Sequence, residues 1–268
     1  MCRHLAYLGP PVSLQSLLID PPHGLYRQSW APRLQRYGTV NADGFGVGWY
    51  ADGDPLPARY RRGIPIWGDP SLPDIARVTR AGAVLAAVRS ATVGMAPGES
   101  AAAPFGSGTW LFSHNGVLDG WPAGEWLASV RGAEGRDVFS AMEAVTDSAY
   151  LWALVLGRLR AGLELGAALA ATIATVQAAG GGGRLNFLAT DGQSIAATSC
   201  GDTLFYRTDA GGSVTVASEP SDDAPGWTEV TDGQLLTAIR GKVDLRPLFD
   251  VGEGDVPEGT LSEGIVLS

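Results

Sequence analysis

Cys2, directly after the initiator methionine, is the first residue of this chain that could do covalent chemistry. A small side chain at the second position suits removal of the initiator, so the mature chain is expected to begin at Cys2. The thiolate is the nucleophile, and a free cysteine titrating near about 8.5 needs a base. An α-amino group titrates at about 7.7 to 8.0 and is partly neutral at physiological pH. On an N-terminal cysteine, nucleophile and base arrive together. By position alone, Cys2 fits equally well as a small residue ending an edge strand.

Acyl transfer to a thiol passes through a tetrahedral oxyanion, which needs preorganised hydrogen-bond donors. The segment T-W-L-F-S-H-N-G offers two: the side-chain amide of Asn115, and the backbone N–H of Gly116, which can approach a ligand closely because there is no Cβ. Asn-Gly is also a common hairpin turn. A substrate bearing an α-carboxylate and an α-ammonium, as a γ-glutamyl group does, needs a cation and an anion in its pocket. Arg89, where the apolar run A-V-L-A-A-V-R stops, is the candidate cation, and Thr92 adds a hydroxyl. Asp137 is the candidate anion. A papain-like alternative using Cys2, His114 and Asn115 is disfavoured, because neighbours on a strand point to opposite faces.

These groups must be held by the elements around them. Strand-like runs alternate with turn signals at 3 to 8, 45 to 50, 83 to 89 and 109 to 114. Between them, S-L-Q-S-L-L-I from Ser13 and P-D-I-A-R-V-T-R from Pro73 carry helix-start signals. From about Trp121 to Ala179 the apolar spacing is three and four, predicting three or four helices. After Gly180 to Gly183, strands return, with Asp-Gly pairs at 191 to 192 and 232 to 233 read as hairpin turns. Strands, helices, then strands again predict an α+β protein, one solution being two packed antiparallel sheets with helices outside. The glycines of G-F-G-V-G at 44 to 48 lead into a strand rather than a helix, so they are not a phosphate cradle. With no repeat or linker, residues 2–268 are expected to form one domain, the last fifteen residues lying extended on its surface.

Composition narrows the partners. The chain has 268 residues, 28 acidic against 19 basic, with a formal charge of −9. That charge repels phosphate backbones and anionic lipid, so neither nucleic acid nor a membrane is expected. Arg59, Arg61 and Arg62 form the one dense basic group and read as a solvated edge strand. No long apolar run occurs, and the expected location is the cytoplasm. Two cysteines, Cys2 and Cys200, make neither a disulfide framework nor a zinc site; no metal or other cofactor is expected. Cys200 reads as a buried small residue.

Cys2 after the initiator, N-A-D-G-F-G-V-G-W-Y at 41 to 50, R-S-A-T-V-G at 89 to 94, S-H-N-G at 113 to 116 and S-E-P at 218 to 220 together resemble the class II glutamine amidotransferases, which are N-terminal-nucleophile hydrolases. The resemblance implies a four-layer αββα sandwich with Cys2 ending a strand. It also implies roles: Cys2 as nucleophile with its own amine as base, Asn115 and Gly116 as oxyanion hole, Arg89 and Thr92 on an α-carboxylate, and Asp137 on an α-ammonium. The implied partner is a small γ-glutamyl substrate, with no protein partner required.

Ser90, Val93 and Ala103 depart from the family's R-W-A-T-H-G and N-x-H-P patterns, altering the pocket wall and bearing on how well free glutamine is used. The opening M-C-R-H-L-A-Y-L-G-P-P, Q-S-W-A-P-R and W-L-F-S-H-N-G look closer still to one member, whose substrate carries a quaternary ammonium. Aromatic faces usually hold such a group. Trp30 and Tyr37 are the candidates for it, with Trp49 and Trp67 beside them.

Overall fold

A computed structural model of the chain describes residues 2–91, 98–134, 139–140 and 142–249. Two antiparallel sheets lie face to face. The first orders its seven strands as β11 (Thr228–Glu229), β9 (Phe205–Thr208), β10 (Val214–Ala217), β1 (Arg3–Ser13), β4 (Arg80–Val88), β2 (Phe45–Trp49) and β3 (Ala58–Arg62). The second orders six as β13 (Lys242–Pro247), β12 (Gln234–Ile239), β8 (Ile195–Ser199), β7 (Gly183–Thr190), β6 (Trp110–Leu118) and β5 (Phe105–Ser107).

Alternation along each strand produces the layers. On β1, Leu5 and Tyr7 pack outward against the short helices α1 (Leu14–Leu18), α2 (Leu25–Gln28) and α3 (Leu72–Val78). Ala6 and Leu8, between them in sequence, pack inward with Leu85, Leu111, Leu188 and Val216, the apolar filling between the sheets. On β6, Phe112 faces the helices of the other outer layer, which are α4 (Trp126–Glu134), α5 (Asp147–Arg160) and α6 (Leu165–Ala178). The αββα order expected from the resemblance is therefore present.

The local signals act as physical chemistry requires. Ser13 caps α1, its Oγ accepting the Ser16 N–H at 3.1 Å. Pro73 sits in the first turn of α3. The Asp191-Gly192 pair turns β7 into β8 as a hairpin, with Asp191 Oδ1 accepting the N–H groups of Gln193 and Ser194. The second Asp-Gly pair is a correction: Asp232-Gly233 joins β11 of one sheet to β12 of the other. Local turn chemistry is the same in both cases; which strand pairs next is decided by burial far away.

The basic run is an edge strand as expected, but it is not simply solvated. Arg59 and Arg61 both reach Glu143, at 2.8 and 2.6 Å. Cys200 is half-buried, not buried. Asp137, Thr92 and the expected C-terminal surface segment lie outside the described residues. None of the described helices is long and apolar enough to cross a membrane.

Candidate active site

Register brings the chemistry together at one end of the sandwich. Arg3 pairs with Val88, so Cys2, one step earlier on β1, lies beside Arg89 at the end of β4. Cys2 and His4 share the inward face, as do Ser113 and Asn115 on β6 of the opposing sheet. The contacts follow: His4 Nδ1 is 3.2 Å from Ser113 Oγ, and the Cys2 nitrogen donates to Asn115 Oδ1 at 3.2 Å. A small pocket beside the thiol is lined by Cys2, Arg89, Ala101, Ala103, Phe105 and Ser113, among others.

Asn115 is fully buried. Its Oδ1 takes the Cys2 nitrogen, and its Nδ2 donates to Ser218 Oγ at 3.4 Å, leaving a second N–H for another acceptor. Gly116 follows on β6, where a Cβ would collide with the Arg184 carbonyl oxygen. Only glycine lets β7 close up here, and the site inherits an unobstructed backbone N–H. Gly46 does the same on the other sheet, where a Cβ would run into the Ala103 carbonyl.

Arg89 is anchored by the motif N-A-D-G. Its N–H donates to Gly44 O at 2.8 Å, the Asp43 N–H donates to Arg89 O at 2.9 Å, and Arg89 Nη1 donates to Asp43 O at 3.2 Å. The chain beyond is held too, since Asp43 Oδ2 accepts the Ala91 N–H at 2.8 Å. Two of these bonds fix the backbone of Arg89 and one holds its guanidinium at the pocket wall.

His114 is excluded as a base by its bonds. The ring lies on the outer face of its sheet, edge-on to Phe187. Nε2–H donates to the Arg184 carbonyl at 2.8 Å, which leaves Nδ1 to accept from Ser148 Oγ at 3.1 Å. Burial pushes its pKa down, so the neutral form is retained. The ring braces β6 against β7 and α5.

Several residues that support the site escaped the sequence reading. Ser218 Oγ accepts both the His4 N–H at 3.0 Å and the Asn115 amide. Glu219 is fully buried and accepts the N–H groups of Arg33 and Leu34 at 2.9 and 2.8 Å, strapping the segment 31–41 beside the site. Arg3, also fully buried, lies between Asp202 and Glu219 at 3.8 Å from each. The S-E-P motif was the available signal, but nothing local in it names these partners.

The aromatic candidates are dispersed. Trp30 packs edge-to-face on Trp67 and Tyr26, with the Arg27 guanidinium over its ring. Trp49 packs against the outer core of its sheet. None of these, nor Tyr37, lines the Cys2 pocket. The cation over Tyr37 is the chain's own Arg184, 4.4 Å from the ring centre. Among the described residues no group of His, Cys, Asp and Glu could hold a metal ion.

Burial pushes the His4 imidazole down to about 3, with His114 and Arg3 adding repulsion. In the unfolded chain it titrates near about 6.5. Between those values the unfolded state binds the extra proton, so stability is fully present above about 6.5 and falls with pH by about 1.4 kcal/mol per unit. Thermal unfolding followed from pH 7 to pH 4 is expected to show a loss of stability in this sense, and His4→Gln to lessen it, the buried His114 keeping its own share. An equal slope in the variant assigns the effect to another group.

The model of the family described as glutamine amidotransferases class-II matches residues 26–211. The γ-glutamyl-hercynylcysteine sulfoxide hydrolase of Mycolicibacterium smegmatis is 44% identical over 250 residues, covering 92% of this chain and all of that one. Among solved structures, a glutamine aminotransferase class-II domain protein from Silicibacter pomeroyi superposes with a TM-score of 0.64 at 27% identity, over 92% of this chain and 99% of that one. The glutamine phosphoribosylpyrophosphate amidotransferase of B. subtilis shares the fold, with a TM-score of 0.65 at 16% identity over 92% of this chain and 49% of its own. The family model spans more than half of the chain and the relative from M. smegmatis is matched along its whole length, so the chain belongs to the class II glutamine amidotransferase family.

Proposed function

We propose that this chain hydrolyses γ-glutamyl-hercynylcysteine sulfoxide, releasing glutamate and hercynylcysteine sulfoxide through a thioester on Cys2. The observation that carries the reading is the Cys2 nitrogen on Asn115 Oδ1, beside a pocket whose wall is Arg89. With Met1 removed, that nitrogen becomes the α-amine and takes the thiol proton. The thiolate attacks the γ-carbonyl carbon, and the oxyanion is received by the free N–H of Asn115 and the N–H of Gly116. Collapse breaks the C–N bond as the ammonium returns its proton to the leaving amine. Water, deprotonated by the same amine, then attacks the thioester carbonyl; the C–S bond breaks, the ammonium returns its proton to the Cys2 thiolate, and glutamate is released. Arg89, with Thr92, holds the glutamyl α-carboxylate, and Asp137 the α-ammonium. Residues 2–268 act as one domain, in the cytoplasm, without cofactor or protein partner.

The pocket wall favours the larger amide over free glutamine. Ala101 and Ala103 are small and apolar, and offer no side-chain hydrogen bond to a glutamine amide. Glutamate release from γ-glutamyl-hercynylcysteine sulfoxide is expected to exceed release from glutamine by about two orders of magnitude in kcat/KM, the loss typical when a recognition contact is absent. Equal or faster use of glutamine identifies a glutaminase instead.

A further inference from the structure

Arg184 has no role in the reaction as described, yet its place in the sheet puts it on the face of the site. It lies opposite Val117 on β6, and Asn115 lies opposite Asn186. Residues two apart on a strand share a face, so Arg184 and Val117 emerge on the same face as Asn115 and Asn186, about 7 Å further along. That face is the inner one, because Leu111 and Leu188, of the same parity, pack between the sheets.

The direction along the strands matters as much as the face. On the inward side, His4 meets Ser113 and the Cys2 nitrogen meets Asn115. The next step out, at Val117 and Arg184, lies beyond the first residue of a chain that begins at Cys2. The pocket with Arg89 occupies the β4 and β5 side of β6, while Arg184 comes from β7 on the other side. An acyl group held by Arg89 directs its leaving group away from that pocket, towards Arg184.

The guanidinium is prepared for an anion. Among the described residues it forms no ion pair within 4.0 Å, and its Nε is buried without a hydrogen-bond partner. What holds it is the Tyr37 ring at 4.4 Å, on the segment strapped by Glu219. In a chain of net charge −9, this half-buried guanidinium stands without an acidic partner among the described residues, two residues along the inner face from the Asn115–Asn186 pair. Its planar fork matches a carboxylate in two parallel hydrogen bonds.

We propose that Arg184, backed by Tyr37, is the subsite for a carboxylate on the leaving group, the one borne by the carbon attached to the scissile nitrogen. Any γ-glutamyl amide of an α-amino acid carries that carboxylate; free glutamine and simple γ-glutamyl alkylamides do not. The inference rests on the reading of the site as a γ-glutamyl hydrolase, and it makes the leaving group's carboxylate a determinant of choice.

The test compares γ-glutamyl-S-methylcysteine with γ-glutamyl-S-methylcysteamine, which differ only by that carboxylate. Wild-type protein is expected to favour the first by about 10- to 100-fold in kcat/KM, chiefly through KM, as for a charge-assisted pair. Arg184→Gln should bring the ratio towards one by raising KM for the carboxylate substrate, and Arg184→Lys, which keeps the charge and loses the fork, should leave an intermediate ratio. Should the Gln variant not fold, as judged by circular dichroism, the Lys variant decides alone. Equal use of both amides by the wild type, or an unaltered ratio in the variants, overturns the subsite while leaving the hydrolase reading standing. Turnover of neither amide by a wild type that also releases no glutamate from γ-glutamyl-hercynylcysteine sulfoxide overturns that reading and the subsite with it, whereas turnover of the sulfoxide alone overturns the subsite, because the larger group and not the carboxylate then decides the choice.

Discussion

Cys2→Ala is expected to lower glutamate release by roughly four orders of magnitude or more, the scale of loss when a covalent nucleophile is removed from an organised site. Alanine is small, so removal of Met1 is expected to continue, and the amine on Asn115 Oδ1 remains in place. Substrate binding should persist, because Arg89 is fixed by Asp43 and Gly44 rather than by the thiol. Isothermal titration of the variant with γ-glutamyl-hercynylcysteine sulfoxide measures the binding. Intact mass after acid quench should show a glutamyl adduct on the wild type and none on the variant. Near-normal turnover by Cys2→Ala sinks the covalent account, whatever the family.

Much of the frame was legible because it is local. Period-two alternation in R-H-L-A-Y-L separates Leu5 and Tyr7 from Ala6 and Leu8, and the structure sends them to opposite cores. The spacing from Trp121 to Ala179 yields α4, α5 and α6 over the described residues. Cys2 stood out by following the initiator, Arg89 as the charge where an apolar run stops, and Asn115 as a side-chain amide beside a glycine, and register then joined them. What stayed hidden lies in long-range contacts. Glu219 acts on Arg33 and Leu34, and Ser218 on His4 and Asn115, across more than 100 residues of sequence, and no periodicity reports such pairs. Asp232-Gly233 shows the same limit in the backbone: the dipeptide specifies a turn, not the sheet that its far strand will join.

The buried charges behind Cys2 have an energetic consequence. Arg3, Asp202 and Glu219 bury three charges next to Cys2, and Arg3 is fully buried with its guanidinium nitrogens beyond hydrogen-bond distance of either carboxylate. Such a cluster adds little net stability but penalises any arrangement that separates its members. Because Glu219 also holds the backbone of the segment 31–41, the same charges tie the start of β1 to the loop that carries Tyr37 and so positions Arg184. The start of β1 and the segment that carries Tyr37 are thus joined through one buried carboxylate, Glu219.

Asn115→Ala is the second large effect, and it separates two functions of one side chain. Loss of a single oxyanion donor costs about 100- to 1,000-fold in kcat with little change in KM. Alanine, however, also removes the acceptor for the Cys2 nitrogen, so the loss alone does not say which function matters. Asn115→Asp resolves this: its carboxylate keeps an oxygen facing Cys2 and abolishes the donor. If the oxyanion contact dominates, Asp and Ala variants should lose comparable activity, and the Asp variant somewhat more, since a carboxylate opposes a developing negative charge. If orientation of the amine dominates, the Asp variant should retain most of its activity while the Ala variant fails. Single-turnover rates of thioester formation, read by quenched intact mass, place the loss in the acylation step. Folding is checked by the His4 N–H, which still has Ser218 Oγ as its acceptor in either variant.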